Sequence, residues 1–404
     1  MKNDILRTPL ISGLLLMFVL SFETNMNAEN PLKIPAVSAE NIHQRGSYQN
    51  SKQKFESEKT GHVAFLGGSI TEMNGYRPMV CAFLEKTFPE TKFQFTNAGI
   101  SSTCSNTGAF RTRRDVLSQG PVDLFFVEFA VNDDQDAGHS ETAAIRGMEG
   151  VIAQIRRHNP YADIVMVHFI NPSMLETIQQ KKKPLSSSSH ERVAAHYEIS
   201  TIDLASEVAR LIDAKQLTWE QFGGTHPAPF GNAICAAMID KLLTNAWQKQ
   251  GPRMKHASPQ EPLDPFSFRN GRLIEIKNAK LNSGWTIEVP EWDSIPGSKR
   301  SRFTSIPMLC ATTAGAELEL AFEGTALGVF TVAGPDAGIL EVSIDAGPFQ
   351  PFDLYHNYSK GLHYPRSVVF DSQLKPGKHH AKIRLSEKSS GKGHAARIMY
   401  FVGN

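Results

Sequence analysis

The sequence predicts two domains of different class: a three-layer α/β domain built on a parallel sheet, followed by an all-β sandwich. Three observations carry that expectation. Between residues 61 and 247 short apolar runs alternate with longer amphipathic segments, a β-α repetition that argues a parallel sheet with helices on both faces. Residues 249–265 turn rich in Gln, Lys, Pro and Gly, the composition of a linker. Beyond them, short strand-like runs are separated by Gly and Pro turns, as in a sandwich. The full length of 404 residues suits two domains at about 100–200 residues each.

In chain order, Lys2 and Arg7 precede an apolar run from Leu10 to Phe22, and Met26-Asn-Ala28 offers a small residue for cleavage. Residues 1–28 therefore read as a signal peptide, and the mature protein as secreted or periplasmic. The run is short for a bilayer span, so a retained anchor is the alternative, and no cysteine follows it closely as a lipid acceptor. Residues 29–59 are polar and without period, an extended N-terminal arm. The first domain is placed at 60–248, the linker at 249–265 and the sandwich at 266–404.

Within the first domain, residues 62–66 form an apolar strand, and residues 76–88 a helix with Met79, Phe83 and Leu84 on one face. Residues 92–97 alternate as a strand with Phe93 and Phe95 inward. Residues 122–129 are the most apolar run and belong at the sheet centre. A helix over 141–157 ends before Pro160, and a strand over 164–169 carries His168, read as a packed histidine. Residues 181–189 have loop composition and are expected as a mobile flap beside the site. A helix over 191–197, a strand over 199–204 and a closing helix over 230–247 complete the domain. Sandwich strands are expected at 272–276, 284–289, 316–322, 326–332, 339–344 and 382–385.

Composition excludes some functions. A formal net charge of +1 gives no electrostatic case for nucleic acid or for an anionic membrane. Lys181, Lys182 and Lys183 read as a solvated loop. Cys81, Cys104, Cys235 and Cys310 are scattered, with no pair at metal-ligand spacing, and no structural zinc is expected.

The chemistry centres on Gly61-His-Val-Ala-Phe-Leu-Gly-Gly-Ser-Ile-Thr71. A strand, a glycine turn and a helix start is where an α/β sheet presents a catalytic side chain. Two glycines permit a sharp turn that exposes Ser69, and a helix start supplies free N–H groups for a developing anion. Three further stretches follow: Asn97-Ala-Gly-Ile-Ser-Ser-Thr-Cys-Ser105, Ala130-Val-Asn-Asp133 and Thr225-His226-Pro227.

In order and spacing these four stretches resemble the sequence blocks of the SGNH (GDSL-type) serine hydrolases, from about Gly61 to Trp247. The resemblance implies a flavodoxin-like α/β/α fold and ester hydrolysis by a serine nucleophile and a histidine base, with no cofactor. It assigns Ser69 as nucleophile, His226 as base and Asn132 as side-chain oxyanion donor, with backbone N–H groups of Ser69 and Ser102 beside it. Ser102 stands where the family has glycine. One departure is larger: the family usually has Asp three residues before the histidine, and this chain has Gly223. The sequence is similar to carbohydrate esterases of the family that use a Ser–His dyad; Glu220 or another acidic residue is the alternative partner.

Further residues carry binding chemistry. Asp133 belongs to the third block and is expected to brace the site or meet substrate. Arg111 offers a planar fork for a carboxylate or sugar hydroxyl, against the plainer reading of a surface arginine. Asp133, Asp134, Asp136 and His139 have metal-ligand chemistry, but loop and helix-cap duty suits them better, and no metal is expected. The C-terminal domain is similar to sandwich modules appended to exported carbohydrate esterases. In it Tyr355 and Tyr358 are candidates to stack on sugar rings, with strand-edge and domain packing an equally good reading.

The leading expectation is an exported serine esterase removing acyl groups, acetyl above all, from polysaccharides or oligosaccharides. The alternatives are a lipase-like esterase, a glycan-cleaving enzyme using the carboxylates near Asp133, and a glycan-binding protein without catalysis.

Overall fold

The structure, a computed structural model, describes residues 33–404. The expected signal peptide lies outside the described residues. Six strands form the first sheet: β1 (Ile42–His43), β2 (Thr60–Gly67), β3 (Lys92–Gly99), β4 (Leu124–Glu128), β5 (Asp163–Val167) and β6 (Ser200–Ile202). Their order is β1-β6-β5-β4-β2-β3. The five strands β2–β6 are parallel, and β1 closes the edge antiparallel to β6, pairing Ile42 with Ile202. The arm at 29–59 is therefore less extended than its polarity suggested. It adds an edge strand and a short helix, Gln49–Gln53, and buries Tyr48 and Phe55.

Alternation along the strands decides the layers. Ala64, Leu66, Phe125 and Val127 point to one face, where they pack with Phe110, Ile145 and Val151 of the helices Ser105–Asp115 and Glu141–His158. Val63, Phe65, Leu124 and Phe126 point to the other, against Tyr76, Val80 and Leu84 of helix Tyr76–Thr87 and Ile234 and Leu242 of helix Pro229–Gln248. Each Val, Leu, Ile or Phe among them, taken fully out of water, contributes about 1.5–3 kcal/mol. The buried stripe of helix Tyr76–Thr87 is thus Tyr76, Val80 and Leu84, one i, i+4, i+8 row, rather than the Met79, Phe83 and Leu84 face. No flap forms at 181–189. Pro184 opens helix Leu185–His196, and Ser186, Ser187 and Ser189 are buried in its first turns.

The C-terminal domain is a sandwich of two antiparallel sheets. One runs Tyr364–Asp371, Leu327–Ala333, Ala396–Gly403, Met308–Ala311 and Thr286–Glu288, with Arg272–Ile274 also on Ala396–Gly403. The other runs Gln350–Asp353, Ile339–Ile344, Gly377–Leu385, Glu317–Gly324 and Lys280–Ser283. Leu318, Leu320, Val329, Leu340, Ile383 and Phe401 fill the space between them.

The two domains share one apolar core. Phe268, Phe303, Phe330, Val332 and Met399 join the cluster of Phe110 and Ile145, and the rings of Phe110 and Phe268 lie 4.7 Å apart. The connecting segment is docked rather than slack: His256 Nε2 meets Asp163 Oδ1 at 2.7 Å, and buried Glu149 accepts the N–H groups of Leu263 and Asp264 at 2.8 and 3.2 Å. Residues 34–404 accordingly form one compact unit.

Candidate active site

The carboxyl ends of β2, β3 and β4 converge where the chain order reverses, the place where open α/β sheets bind ligands. β2 ends at Gly67, and Ser69 is the first residue of the turn of helix Ser69–Glu72. The turn tolerates no side chain at either glycine. A Cβ on Gly67 would sit 2.2 Å from Glu128 Oε1, and one on Gly68 would sit 2.1 Å from Asn132 Oδ1. These glycines let the nucleophile turn lie directly against two polar side chains from the end of β4.

The histidine comes from the last part of the domain's sequence. Helix Trp219–Phe222 is closed by a Thr218–Gln221 capping box and ends in left-handed Gly223. The loop that follows returns to helix Pro229–Gln248, where the Asn232 Nδ2 donates to Pro227 O at 2.6 Å and Ala228 O at 3.0 Å. The loop so held puts His226 Nε2 2.7 Å from Ser69 Oγ. That is the geometry of a hydroxyl whose proton can pass to an imidazole.

No carboxylate lies within 4.0 Å of either His226 ring nitrogen among the described residues, Glu220 included. Nor can the position of the usual aspartate be refilled. Gly223 has φ +100°, and a Cβ there would meet Ala228 N at 2.0 Å. Gly223→Asp is therefore expected to destabilise the fold by at least about 2 kcal/mol, from strain and clash together, without raising kcat. Thermal unfolding and steady-state kinetics of the variant check both parts.

The N–H groups of Ser69 and Ser102 have no protein acceptor among the described residues. Asn132 Nδ2 donates one proton to Asp136 Oδ2 at 2.7 Å, which leaves its second for a ligand oxygen. Ser102 has φ +68°, a left-handed conformation that costs an L-residue about 1–2 kcal/mol and suits glycine. The glycine expected from the family is thus replaced with its backbone shape retained. Unpaired N–H groups of this kind are the donors an oxyanion hole requires.

Residues 65–234 match the model of the GDSL-like lipase/acylhydrolase family. That match covers most of the first domain. Among solved structures, the chain is similar to a two-domain esterase (CEX) active on acetylated mannans, at 21% identity and a TM-score of 0.75, covering 91% of this chain and 98% of that one. The same esterase co-crystallised with mannopentaose matches at 20% identity and a TM-score of 0.74, with the same coverage. The likeness extends over both domains and shows the two-domain fold. No curated protein matches the chain in sequence.

Of the other residues named from the sequence, some take scaffold roles in place of substrate contact. Arg111 does not reach substrate. It is wholly buried, donating to Ala98 O at 2.6 Å and Gly67 O at 2.9 Å, so it ties the ends of β2 and β3 together. Asp133 is buried too and accepts from Ser105 N, Ser105 Oγ and His190 Nε2 at 2.8, 2.6 and 2.9 Å. Burial opposes its ionisation, but His139 and His190 more than offset this, and its pKa is lowered. It braces the block-three turn and is not a substrate ligand. Asp134 accepts from Asn171 and Ser173, so the acidic residues diverge to separate partners. Tyr355 packs on the sandwich core, while Tyr358 is 46% exposed.

Glu128 was missed, although a glutamate ending an otherwise apolar strand is a visible signal. Its Oε1 accepts from Gly68 N, Thr71 N and Thr71 Oγ1 at 2.9, 3.2 and 2.7 Å, while Oε2 is buried without a partner. Burial pushes its pKa up to about 7, against the opposing pull of the Thr71 and Gly68 donors. A raised carboxyl pKa means that the folded state holds the proton more tightly than the unfolded chain. The contribution of Glu128 to stability is therefore fully present below about pH 4.5 and declines until about pH 7, by about 3 kcal/mol in all. Glu128→Gln has no such titration. The difference in unfolding free energy, wild type minus variant, is expected to fall steadily between pH 5 and 7; a difference independent of pH would remove this assignment.

The sandwich contributes residues that sequence reasoning also missed. Arg300 Nη1 donates to Ser101 O and Nη2 to Ser102 Oγ, both at 2.8 Å. Tyr364 Oη donates to Ser102 O at 3.2 Å, and His356 Nε2 to Asp136 O at 2.7 Å. The rings of His356 and Tyr364 stack at 4.5 Å, with Tyr358 beside them. A cavity of about 230 Å³ lies between the domains here, lined by Ser102, Asp136, His139, His356, Tyr364 and Arg366. No sequence periodicity marks these contacts, because they depend on how two domains dock.

Proposed function

We propose that this chain is an exported serine esterase that removes acetyl groups from a polysaccharide or its oligosaccharides through a Ser69–His226 dyad. The observation that carries the reading is the 2.7 Å contact of Ser69 Oγ with His226 Nε2, beside unpaired N–H groups at Ser69 and Ser102. His226 takes the hydroxyl proton as Ser69 attacks the ester carbonyl. The oxyanion that forms is held by those two N–H groups and the second Nδ2 proton of Asn132. His226 then gives its proton to the departing sugar hydroxyl. In the second half it draws a proton from water, which attacks the acyl-enzyme and releases acetate.

Without a carboxylate partner, His226 depends on its backbone for orientation, and Asn232 supplies it by tying down the carbonyls of Pro227 and Ala228. Export rests on the N-terminal sequence alone. The polysaccharide substrate is supported by the two-domain likeness to an esterase named for acetylated mannans, and by the aromatic cluster of Tyr358, His356 and Tyr364 at the domain junction. Glycosidic cleavage wants two carboxylates flanking an open bond, and Asp133 and Asp136 are instead buried and hydrogen-bonded.

The test is acetate release from p-nitrophenyl acetate and from acetylated mannan, xylan and pectin. Release from the small ester and from at least one acetylated glycan, mannan foremost, is the expected result. No release from any of them would sink the esterase reading; release from the small ester alone would remove the polysaccharide.

A further inference from the structure

The oxyanion hole is built on a strained residue, and what holds that residue lies in the other domain. Ser102 keeps φ +68° with a Cβ, at a turn whose own backbone bonds do not include its N–H. Left to itself such a turn relaxes to negative φ, which would swing the N–H away. Three of its polar atoms are grasped from the sandwich: Ser101 O and Ser102 Oγ by the two arms of the Arg300 guanidinium, and Ser102 O by the Tyr364 hydroxyl. Arg302 adds an indirect hold. It donates at 2.7 Å to Glu72 Oε1, while Glu72 Oε2 accepts Ser101 N at 2.8 Å. The Asn132 donor has a parallel support, since its partner Asp136 is fixed through its carbonyl by His356.

We propose that the sandwich domain is a working part of the active site, with Arg300 and Tyr364 as positioning residues that hold Ser102 in its left-handed conformation and so aim its N–H into the oxyanion hole. The inference rests on the reading of Ser102 N–H as an oxyanion donor. A planar fork suits the task, because one rigid group can bind two acceptors on adjacent residues. Lysine has a single donor centre and cannot hold both in the same geometry. The proposal explains why serine stands where glycine would be less strained: its hydroxyl is the handle that Arg300 grips.

The test uses the full chain and p-nitrophenyl acetate, an ester with no sugar, so that glycan contacts do not enter. Arg300→Ala, Arg300→Lys and Tyr364→Phe are made in the wild type and in Ser102→Gly, each compared with its own parent. In the wild-type background Arg300→Ala is expected to lower kcat about 10- to 100-fold with KM little changed, a misplaced donor being felt in the transition state. Arg300→Lys should fall between. In the Ser102→Gly background, where the left-handed turn is unstrained, the loss should shrink to about 3-fold or less.

Equal losses in both backgrounds, or a loss confined to KM, would overturn the proposal and make Arg300 a substrate contact. Hydrogen exchange at the Ser101–Thr103 amides gives a readout that does not need activity: faster exchange in Arg300→Ala, with global unfolding unchanged, is expected, and unchanged exchange counts against the proposal. Activity lost in the wild type as well would instead indict the esterase reading, and exchange would still decide the positioning role.

Discussion

Ser69→Ala is expected to lower kcat on p-nitrophenyl acetate by about 10⁴- to 10⁶-fold, and His226→Ala by a similar factor. Both expectations follow from the single 2.7 Å contact between Oγ and Nε2. The hydroxyl is a weak nucleophile until its proton has somewhere to go, and the imidazole has no other proton to take. Because the two act as one unit, the double variant should lose little more than either single one. Ser69 is only partly exposed and its hydroxyl has no other hydrogen-bond partner among the described residues, so Ser69→Ala should fold as the wild type does. Retained turnover in Ser69→Ala would refute the dyad, whatever the fold resembles. The residual rate should reflect the oxyanion donors alone.

Asn132→Ala is expected to lower kcat by about 10²- to 10³-fold, with KM changed far less. The carboxamide lies over Gly68, with Nδ2 held by Asp136, so it is preorganised before the oxyanion forms. Loss of a donor that acts only on the developing negative charge appears in kcat. Loss of a ground-state contact appears in KM. A large rise in KM with kcat preserved would make Asn132 a substrate ligand instead. Asp136→Ala should weaken catalysis less, since it leaves the donor in place and removes only its aim.

Much of the first domain was legible in its sequence. The nucleophile turn, Asn132 and His226 each sit at the end of a strongly patterned apolar strand or beside a helix start, and local rules locate such residues. Strand ends moved by a residue or two, as for β4, where the apolar run over 122–129 contracted to Leu124–Glu128. The sandwich was read less completely. Strands such as Met308–Ala311, Tyr364–Asp371 and Ala396–Gly403 were passed over. Met308–Ala311 is buried on both faces and shows no alternation, and Tyr364–Asp371 contains a proline at its start.

Errors at the site have a common cause. Arg111 and Asp133 carry the chemistry of substrate ligands, and only burial shows that they serve the scaffold: one caps the carbonyls of β2 and β3, the other ties the block-three turn to helix Leu185–His196. A serine-rich stretch read as a flap became a buried helix start because Pro184 fixes its entry and neighbouring helices cover it. Charge and composition report what a side chain can do, and not which side of the surface it occupies.

The sequence by itself determined the two fold classes and the order of the four stretches, because these rest on local patterning, and the resemblance those stretches carry points to Ser69, His226 and Asn132 as the proposed nucleophile, base and oxyanion donor. It also determined that Gly223 cannot serve as an acid. The tertiary structure decided that no other carboxylate among the described residues takes that place, that Glu128 lies beneath the Ser69 turn, and that Arg300 and Tyr364 reach Ser102 from the sandwich. Arg300 and Ser102 stand 198 positions apart in the chain. Contacts of that kind arise only when two finished domains bury a common core, and no short window of residues carries a trace of them.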